Sequence, residues 1–228
     1  MNVMLLAAGR GERLRPLTDD IPKALVEVNG VSLLERHLTR LGDSGVRTVV
    51  INLGWLGDRI VERIGSGSRY GLQVVYSPEY ENILETGGGI YRALPLLGAG
   101  KSFWVINADI VCDYELNESS MPETSLAHLV LVPNPDYRER GDFDLVGSQV
   151  ANTASAPLTF SGIARYRPEF FADCETGRFS IAPLLRQAAD SGNLSGELYE
   201  GYWADVGTPS RLATAEGFLK TRSQSAAK

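Results

Sequence analysis

The chain has 228 residues, and its 28 Asp and Glu against 22 Lys and Arg give a formal net charge of −6. This length is enough for one sizeable α/β domain with its own hydrophobic core. The acidic balance argues against a broad nucleic-acid-binding face, which needs a basic surface. No stretch reaches the length of a transmembrane helix, and the apolar start lacks the basic segment of a signal peptide. We therefore expect a cytoplasmic protein with neither nucleic acid nor membrane as a partner.

The two cysteines and the two histidines are expected to be structural. Cys112 and Cys174 are isolated from any second cysteine or histidine at the spacing of a metal site. They are expected to be reduced thiols in a reducing compartment. His37 falls within a predicted helix and His128 within a predicted strand, and neither position indicates catalysis.

The first strand and the loop after it organise the N-terminal part of the chain. Residues 3–6 form a short apolar run without alternation, which predicts a strand buried on both faces of a parallel sheet. Small side chains in the loop let its backbone N–H groups close around an anion, and these residues are Ala7, Ala8, Gly9 and Gly11. Arginines suit phosphate, and the loop carries Arg10, Arg13 and Arg15. The pattern favours a phosphate-binding loop, although the glycines alone fit an ordinary strand-to-helix turn equally well.

Two better-known phosphate loops are excluded. The dinucleotide-binding fingerprint needs a third glycine where this chain has Leu14. Gly100-Lys101-Ser102 resembles the end of a P-loop, but Pro95 stands where the first glycine belongs. That segment also precedes a strand-like run instead of following one.

Farther along, β-branched or apolar runs alternate with helical patterns. Ser32 and Glu35 form a capping-box pattern, which predicts a helix that ends near residue 42 or 45. Leu56, Ile60 and Ile64 recur every four residues, as on the apolar face of a helix. Strands are predicted over residues 24–29, 48–52 and 72–76. This rhythm predicts a doubly wound parallel sheet with right-handed crossovers.

In the second half, polar residues follow two strand-like runs. Asp109 ends the run 103–106, where a strand-end carboxylate is suited to a divalent metal once a second carboxylate is found. Asp205 ends a later aromatic run and supplies that second carboxylate. The glycines 87–89 precede a helix predicted at 90–97 and leave the backbone open to close approach of a flat ligand, with a flexible turn as the alternative. Further helices are predicted at 183–189 and 209–219. We expect one domain over residues 1–220 and a frayed tail at 221–228.

Several motifs together resemble the signature of the sugar-nucleotide pyrophosphorylases, or nucleotidyltransferases. The longest is Leu6-Ala7-Ala8-Gly9-x-Gly11-x-Arg13-Leu14-x-Pro16-Leu17-Thr18 followed by Pro22-Lys23. The others are Glu85-Thr86-Gly87-Gly88-Gly89, Asn107-Ala108-Asp109 and Trp203-Ala204-Asp205-Val206-Gly207-Thr208. Within that family the chain resembles in particular the uridylyltransferases of bacterial cell-wall recycling. The resemblance implies the nucleotide-diphospho-sugar transferase fold, an α/β single domain with a Rossmann-like, mostly parallel sheet flanked by helices.

The resemblance also implies roles for individual residues. Catalysis would fall to Arg13, Lys23, Asp109 and Asp205, with Asp109 and Asp205 holding Mg²⁺. Nucleotide binding is expected at Ala7, Ala8, Gly9, Gly11, Arg13, Lys23, Glu79, Thr86, Gly87, Gly88 and Asn107. Sugar binding is expected at Asp142, Ser161 and Gly162.

The implied reaction joins UTP to a sugar 1-phosphate, giving a UDP-sugar and pyrophosphate. N-acetylmuramate α-1-phosphate is the expected sugar phosphate, by resemblance only. Glucose, mannose or heptose 1-phosphate with dTTP, GTP or UTP is the alternative within this chemistry. A nucleotide-sensing module without turnover is a further alternative, disfavoured because the carboxylates and the loop cations are both present. The sequence predicts neither the oligomeric state nor the number of metal ions.

Overall fold

The computed structural model describes residues 1–79, 82–98, 100–117 and 121–226. The strands are β1 (Asn2–Leu6), β2 (Glu27–Val28), β3 (Val31–Ser32), β4 (Thr48–Leu53), β5 (Gln73–Pro78), β6 (Phe103–Asn107), β7 (Ile110–Cys112), β8 (Ala127–Pro133), β9 (Asp144–Val146), β10 (Gln149–Ala151), β11 (Leu158–Tyr166), β12 (Leu194–Leu198) and β13 (Trp203–Asp205). The α-helices are α1 (Leu17–Asp20), α2 (Leu33–Asp43), α3 (Gly57–Ile64), α4 (Glu85–Ala93), α5 (Ala182–Asp190) and α6 (Pro209–Ala226). Short 3₁₀ helices cover Glu12–Leu14, Lys23–Leu25, Ser68–Tyr70, Leu94–Leu96 and Pro168–Phe171.

A large, mostly parallel sheet flanked by helices contains β1, β4, β5, β6 and β8 to β12, which confirms the predicted fold class. β4 and β5 pair in parallel, with Thr48 opposite Gln73 and Leu53 opposite Pro78. β8 and β12 also pair in parallel. The exceptions are β11, which runs antiparallel to both β6 and β8, and β10, which runs antiparallel to β12 and β9.

Contacts divide the chain into two compact units. The first unit contains Met1–Met4, Leu84–Ile106 and Asp113–Gly201, and its strand order is β6-β11-β8-β12-β10-β9. The second unit contains Leu5–Ile83, Asn107–Cys112 and the described residues of 202–228. It holds the order β5-β4-β1 and two small antiparallel sheets, β2-β3 and β13-β7. β1 contributes residues to both units, and the single-domain organisation of residues 1–220 stays a prediction.

The start of α2 has the predicted cap. The Oγ of Ser32 accepts a hydrogen bond from the backbone N–H of Glu35 at 3.2 Å and donates one to its carboxylate at 2.7 Å. This arrangement satisfies a backbone donor that would otherwise have no partner at the helix start. The helix ends at Asp43, close to the predicted end.

A small core cluster fixes α6 to the strands of the second unit. Its buried members are Leu14, Val26, Val28, Leu33, Val111, Val206 and Ala215. The cluster joins residues from the first loop, from β7 and from the segment after β13. Because these residues come from distant parts of the sequence, burial of apolar surface here positions the two antiparallel strands β7 and β13.

The glycine run 87–89 is helical, so the predicted start of the helix at residue 90 is wrong. α4 begins at Glu85 and runs through all three glycines, which are buried. A Cβ atom on Gly87 would lie 2.4 Å from the ring of Phe179, and one on Gly88 would lie 2.1 Å from the carbonyl oxygen of Gly177. The glycines therefore serve the close packing of α4 on residues 177–179 of the same chain.

Two further boundaries differ from the prediction. Residues 24–29 were expected to be a strand, but they divide between the 3₁₀ helix Lys23–Leu25 and the short strand β2. The tail predicted from residue 221 is helical up to Ala226, since no glycine or proline after Gly217 interrupts α6. Residues 227 and 228 lie outside the described residues. No helix in the described ranges is long and apolar enough to cross a membrane.

Candidate active site

The loop after β1 is fixed to the end of β4. The N–H of Ala7 donates to the Oδ1 of Asn52 at 2.7 Å, and the N–H of Trp55 donates to the carbonyl oxygen of Ala8 at 3.2 Å. A Cβ atom on Gly54 would lie 2.5 Å from that same carbonyl oxygen, so only glycine allows this approach. The Ala7 N–H, predicted to face an anion, is instead used by Asn52.

The next part of the loop keeps its amides available. No described residue accepts a hydrogen bond from the N–H of Gly9, Arg10 or Gly11. Gly11 has a φ of 66°, a left-handed conformation that suits glycine. Its carbonyl oxygen accepts hydrogen bonds from the N–H of Leu14 at 2.9 Å and from the Oγ1 of Thr18 at 2.8 Å. The loop is therefore a fixed turn that presents backbone donors.

Lys23 and Asp109 form an ion pair. The Nζ of Lys23 donates to the Oδ2 of Asp109, and the two side chains are 14% and 30% exposed. The stem of Lys23 packs against the loop, because a Cβ atom on Gly11 would lie 2.9 Å from the Lys23 Cβ. Asp109 follows β6, as predicted, and the neighbouring Ala108 donates its N–H to the Leu6 carbonyl oxygen at 3.1 Å. The predicted cation and carboxylate thus lie at the loop that follows β1.

β13 brings Asp205 beside the Asp109 backbone. In the antiparallel pair of β7 and β13, Asp205 lies opposite Ile110. The N–H of Val206 donates to the carbonyl oxygen of Asp109 at 2.8 Å. The carboxylate of Asp205 accepts hydrogen bonds from the guanidinium of Arg211 in α6. The two predicted metal-binding carboxylates therefore come from neighbouring backbone, and each is paired with a different cation.

Two arginines converge on Gly207. A Cβ atom on this buried glycine would lie 2.8 Å from the Nη2 of Arg211 and 3.0 Å from the Nη2 of Arg13. Arg13 was predicted from the loop motif, whereas Arg211 was missed. Its signal in the sequence is weak, since Arg211 stands in the first turn of a helix with no motif around it. The two guanidinium groups concentrate positive charge beside Asp205.

Helix α2 supports the strand that follows Asp109. Arg40 donates to the carbonyl oxygen of Cys112, and a hydrogen bond connects His37 with the backbone of Ile110. Burial, with a smaller effect from the Arg40 charge, lowers the pKa of His37 to about 4. His37 is therefore neutral and structural at neutral pH, as predicted, and it holds β7 in place.

Glu79 and Asn52 form a buried polar pair, and the sequence indicated only Glu79. Each residue is 3% exposed. The Nδ2 of Asn52 donates to the Oε1 of Glu79 at 2.8 Å. The N–H of Glu79 donates to the Leu53 carbonyl oxygen at 2.7 Å, which fixes the backbone after β5 to β4. Asn107, another expected nucleotide contact, ends β6.

In the first unit, Thr86, Gly87 and Gly88 lie in the first two turns of α4. The N–H of Gly88 donates to the Phe179 carbonyl oxygen at 3.1 Å, so this amide already has a partner in the chain. Glu85, just before them, accepts from Arg178 at 2.9 Å. Their contact with a nucleotide stays a prediction.

The expected sugar-binding residues also lie in the first unit. Both oxygens of Asp142 accept from the guanidinium of Arg138, at 2.9 and 3.0 Å, and one also accepts from the N–H of Phe160. Ser161 is 1% exposed, and its Oγ accepts from the N–H of Ile163 at 3.1 Å. Ser161 and Gly162 occupy an irregularity of β11. These side chains support the local fold, and their contact with a sugar stays a prediction.

The carboxylates suit magnesium better than a metal that needs an all-protein cage. Within the described ranges, no group of three or more His, Cys, Asp and Glu side chains is placed to hold a metal ion. Mg²⁺ is commonly held by one or two carboxylates together with substrate phosphates. Asp109, just before β7, and Asp205, at the end of β13, have neighbouring backbones and fit that requirement.

Comparison with known proteins agrees with this geometry. The sequence profile of the nucleotidyl transferase family matches residues 2–140. The chain belongs to the nucleotidyl transferase family. It is 45% identical over 225 residues to the N-acetylmuramate alpha-1-phosphate uridylyltransferase of Neisseria meningitidis serogroup B. That alignment covers 95% of this chain and 97% of the relative. The chain is 36% identical to the enzyme of the same name from Caulobacter vibrioides, with coverages of 95% and 96%.

A solved structure gives the same result for the fold. The crystal structure of HddC from Yersinia pseudotuberculosis complexed with GMP-PN matches with a TM-score of 0.78 and 26% identity. The match covers 96% of this chain and 99% of that chain. The predicted membership of the nucleotidyltransferase family is therefore confirmed.

Proposed function

We propose that this protein transfers the uridylyl group of UTP to N-acetylmuramate α-1-phosphate, giving UDP-N-acetylmuramate and pyrophosphate. The observation that carries this proposal is its likeness to the two uridylyltransferases, which extends over nearly the full length of each chain. The sugar belongs to the bacterial cell wall, so we place the reaction in peptidoglycan recycling in the cytoplasm.

The nucleophile needs no protein base. A phosphate monoester has a second pKa of about 6, so a sugar 1-phosphate is largely a dianion at neutral pH. One of its oxygens attacks the α-phosphorus of UTP, the bond from that phosphorus to the bridging oxygen breaks, and pyrophosphate leaves. Burial lowers the pKa of both His37 and His128, which is consistent with a reaction that uses no histidine base.

The cationic groups of the second unit would provide most of the catalysis, by neutralising and positioning the phosphates. Two polyanions must meet and pyrophosphate must leave, so charge neutralisation and positioning dominate. Arg13 and the amides of Gly9 and Gly11 would bind the leaving pyrophosphate, and Lys23 would offset charge at the transferred group. Arg211, which the sequence did not indicate, adds charge beside Arg13.

Asp109 and Asp205 would hold Mg²⁺. When bound, this ion polarises the phosphate oxygens and offsets their charge. Lys23 and Arg211 form ion pairs with these two carboxylates and would compete with the metal for them. We therefore expect weak metal binding to the protein alone and tighter binding when nucleotide phosphates supply further oxygen ligands.

Recognition of the two substrates is assigned by resemblance. Glu79, Thr86, Gly87, Gly88 and Asn107 would contact the nucleoside. Ala8 would line the phosphate loop, whereas Ala7 would act through its bond to Asn52. The sugar phosphate would lie against Asp142, Ser161 and Gly162.

The test is pyrophosphate release across a panel of nucleotides and sugar 1-phosphates. UTP, CTP, dTTP and GTP are each paired with N-acetylmuramate, glucose and mannose 1-phosphate, with Mg²⁺ present. We expect the highest kcat/KM for UTP with N-acetylmuramate 1-phosphate. A higher value for dTTP with glucose 1-phosphate, or for GTP with mannose 1-phosphate, would reject this substrate assignment. No release with any pair would favour a nucleotide-sensing module.

A further inference from the structure

The side-chain amide of Asn52 connects two parts of the nucleotide site. Its Oδ1 accepts from the N–H of Ala7 at 2.7 Å, and its Nδ2 donates to the Oε1 of Glu79 at 2.8 Å. Both hydrogen bonds are buried, and Asn52 itself is 3% exposed. One buried side chain thus holds the start of the phosphate-binding loop and the carboxylate after β5.

The orientation of this amide is fixed by its two partners. The Ala7 N–H can only donate, so it must face the Oδ1 of Asn52, which leaves the Nδ2 to donate to Glu79. The opposite orientation would place the amide NH₂ against an N–H and the amide oxygen against a carboxylate. Both of those contacts are repulsive, and a buried polar group without a partner is costly. Only asparagine at this position satisfies both neighbours with one short side chain.

We propose that Asn52 is a positioning residue that sets nucleobase preference by holding the Glu79 carboxylate in place for the base. The proposal rests on the function proposed above, in which Glu79 contacts the nucleoside. Asn52 acts through Glu79 and touches no substrate. Because the same amide bonds Ala7, the position of the carboxylate is coupled to the loop that receives the phosphates.

Base chemistry gives this arrangement its selectivity. Uracil carries a donor at N3–H, whereas cytosine has a lone pair at N3. A carboxylate held at a fixed position accepts from the uracil N3–H and repels the cytosine N3. If the carboxylate were free to move, it could turn toward the exocyclic amino group of cytosine instead. A buried anchor for the carboxylate is therefore what separates UTP from CTP.

The first experiment measures kcat and KM of Asn52→Ala with UTP and CTP at saturating N-acetylmuramate 1-phosphate. We expect kcat/KM for UTP to fall at least about tenfold, the scale of one lost buried hydrogen bond, and the UTP to CTP ratio to fall with it. The KM for the sugar phosphate should stay within about twofold of the wild-type value, since its contacts are not altered. An unchanged UTP to CTP ratio would overturn the proposal.

A matched control separates positioning from general loss of structure. The Nδ2 of Asn2 donates to the Leu97 carbonyl oxygen at 2.6 Å and has no part in the proposed site. Asn2→Ala should lower thermal stability without changing the ratio. If it changes the ratio as much as Asn52→Ala does, the effect is not specific and the proposal fails.

Asn52→Asp covers the case in which the alanine variant does not fold. The introduced carboxylate can still accept from Ala7, but its second oxygen would meet the Glu79 carboxylate, and two such groups cannot both be ionised at this distance. A proton shared by the pair restores the bond. The activity of this variant relative to wild type should therefore be highest at acidic pH and fall as pH rises. A relative activity that rises with pH would contradict the geometry, since the pair can only lose its shared proton as pH rises.

Glu79→Gln distinguishes this proposal from the proposed function. The glutamine can still accept from Asn52 but presents no carboxylate to the base. If Glu79→Gln leaves the UTP to CTP ratio unchanged, Glu79 does not contact the base, and its proposed role fails together with the inference. If Glu79→Gln changes the ratio and Asn52→Ala does not, only the inference about Asn52 fails.

Discussion

Gly11 and Lys23 are in direct contact: a Cβ atom on Gly11 would lie 2.9 Å from the Cβ of Lys23 and 3.0 Å from the Cγ2 of Thr18. The loop that presents backbone amides and the cation that pairs with Asp109 are therefore one packed element. A change of shape at the glycine must move the lysine.

Gly11→Ala should reduce both stability and turnover. The left-handed φ of 66° costs about 1–3 kcal/mol for a residue with a side chain, and the added methyl group displaces Lys23. Turnover in a pyrophosphate-release assay should fall by a much larger factor than the fraction of folded protein measured by thermal melting. Gly217→Ala is the control, because nothing lies within 4 Å of a Cβ there. Equal activity of both variants would show that the loop is not part of the site.

Arg13→Ala should reduce activity and leave stability nearly unchanged. Loss of one charged donor to a leaving group costs about 100-fold in turnover, while an exposed loop change shifts stability within about ±0.5 kcal/mol. Arg15→Ala is the matched variant in the same loop, since Arg15 pairs with Asp19 at 3.1 Å and both side chains are half exposed. It should keep full activity. A full-activity Arg13→Ala would remove Arg13 from the mechanism.

Asp109→Asn and Asp205→Asn test the carboxylate pair. Each change removes a charge while keeping the shape, and each should lower Mg²⁺-dependent turnover by roughly 1,000-fold. The double variant should lose little more, because groups that act together give non-additive losses. Titration of Mg²⁺ by calorimetry, with and without UTP, provides an independent readout. Additive losses, or metal binding that is unaffected in either single variant, would show that the two carboxylates do not share one ion.

Gly88→Ala should destabilise the protein although it replaces a glycine in a helix. The methyl group would lie 2.1 Å from the Gly177 carbonyl oxygen, and such overpacking costs about 1–3 kcal/mol. The same change at Gly217, in an exposed part of α6, should be neutral or stabilise by about 0.5–1 kcal/mol. Urea unfolding of both variants measures the difference. A more stable Gly88→Ala would contradict the packing of α4 on residues 177–179.

His37 should make the protein less stable in mild acid. Its pKa is about 4 in the folded state and 6.5 when unfolded, so the unfolded state binds the extra proton and stability falls as pH drops through this window. Between pH 7 and pH 5 the loss is about 2 kcal/mol. In urea unfolding, His37→Gln should lose less of its free energy of unfolding than the wild type between pH 7 and pH 5. Burial alone would raise the pKa of the Glu35 carboxyl, but hydrogen bonds from Arg63, Ser32 and Tyr70 lower this pKa to about 2. The contribution of Glu35 to stability therefore changes only at lower pH.

Local patterns in the sequence predicted most elements of the fold. The cap at Ser32, the stripe of Ile60 and Ile64 and the strand from Thr48 each depend on residues a few positions apart, and each is present. The glycine run 87–89 was misread because its packing partner is residues 177–179, far away in sequence. Propensity alone cannot distinguish a glycine needed for a turn from one needed for close packing.

In the candidate site too, residues in local motifs could be predicted, whereas residues that act through long-range contacts could not. Arg13, Lys23, Asp109 and Asp205 stand in motifs, and the structure pairs Lys23 with Asp109 and brings Asp205 to the adjacent strand. Asn52 and Arg211 stand in no motif. Asn52 ends an ordinary strand pattern and matters only through Ala7 and Glu79, while Arg211 matters through Asp205 and Gly207. Such roles arise from long-range contacts, which a pattern along the chain does not contain.

The pairing of β7 with β13 also bears on the order in which the proposed site is completed as the chain is made. Lys23 and Asp109 are made well before Asp205, and β7 has no partner in its two-stranded sheet until β13 has followed. The cluster around Leu14 and Val111 likewise waits for Val206 and Ala215. Chains generally fold from the N-terminal side as they are made. A chain that stops before Tyr202 therefore carries the loop after β1 without Asp205, and we expect it to release no pyrophosphate from UTP.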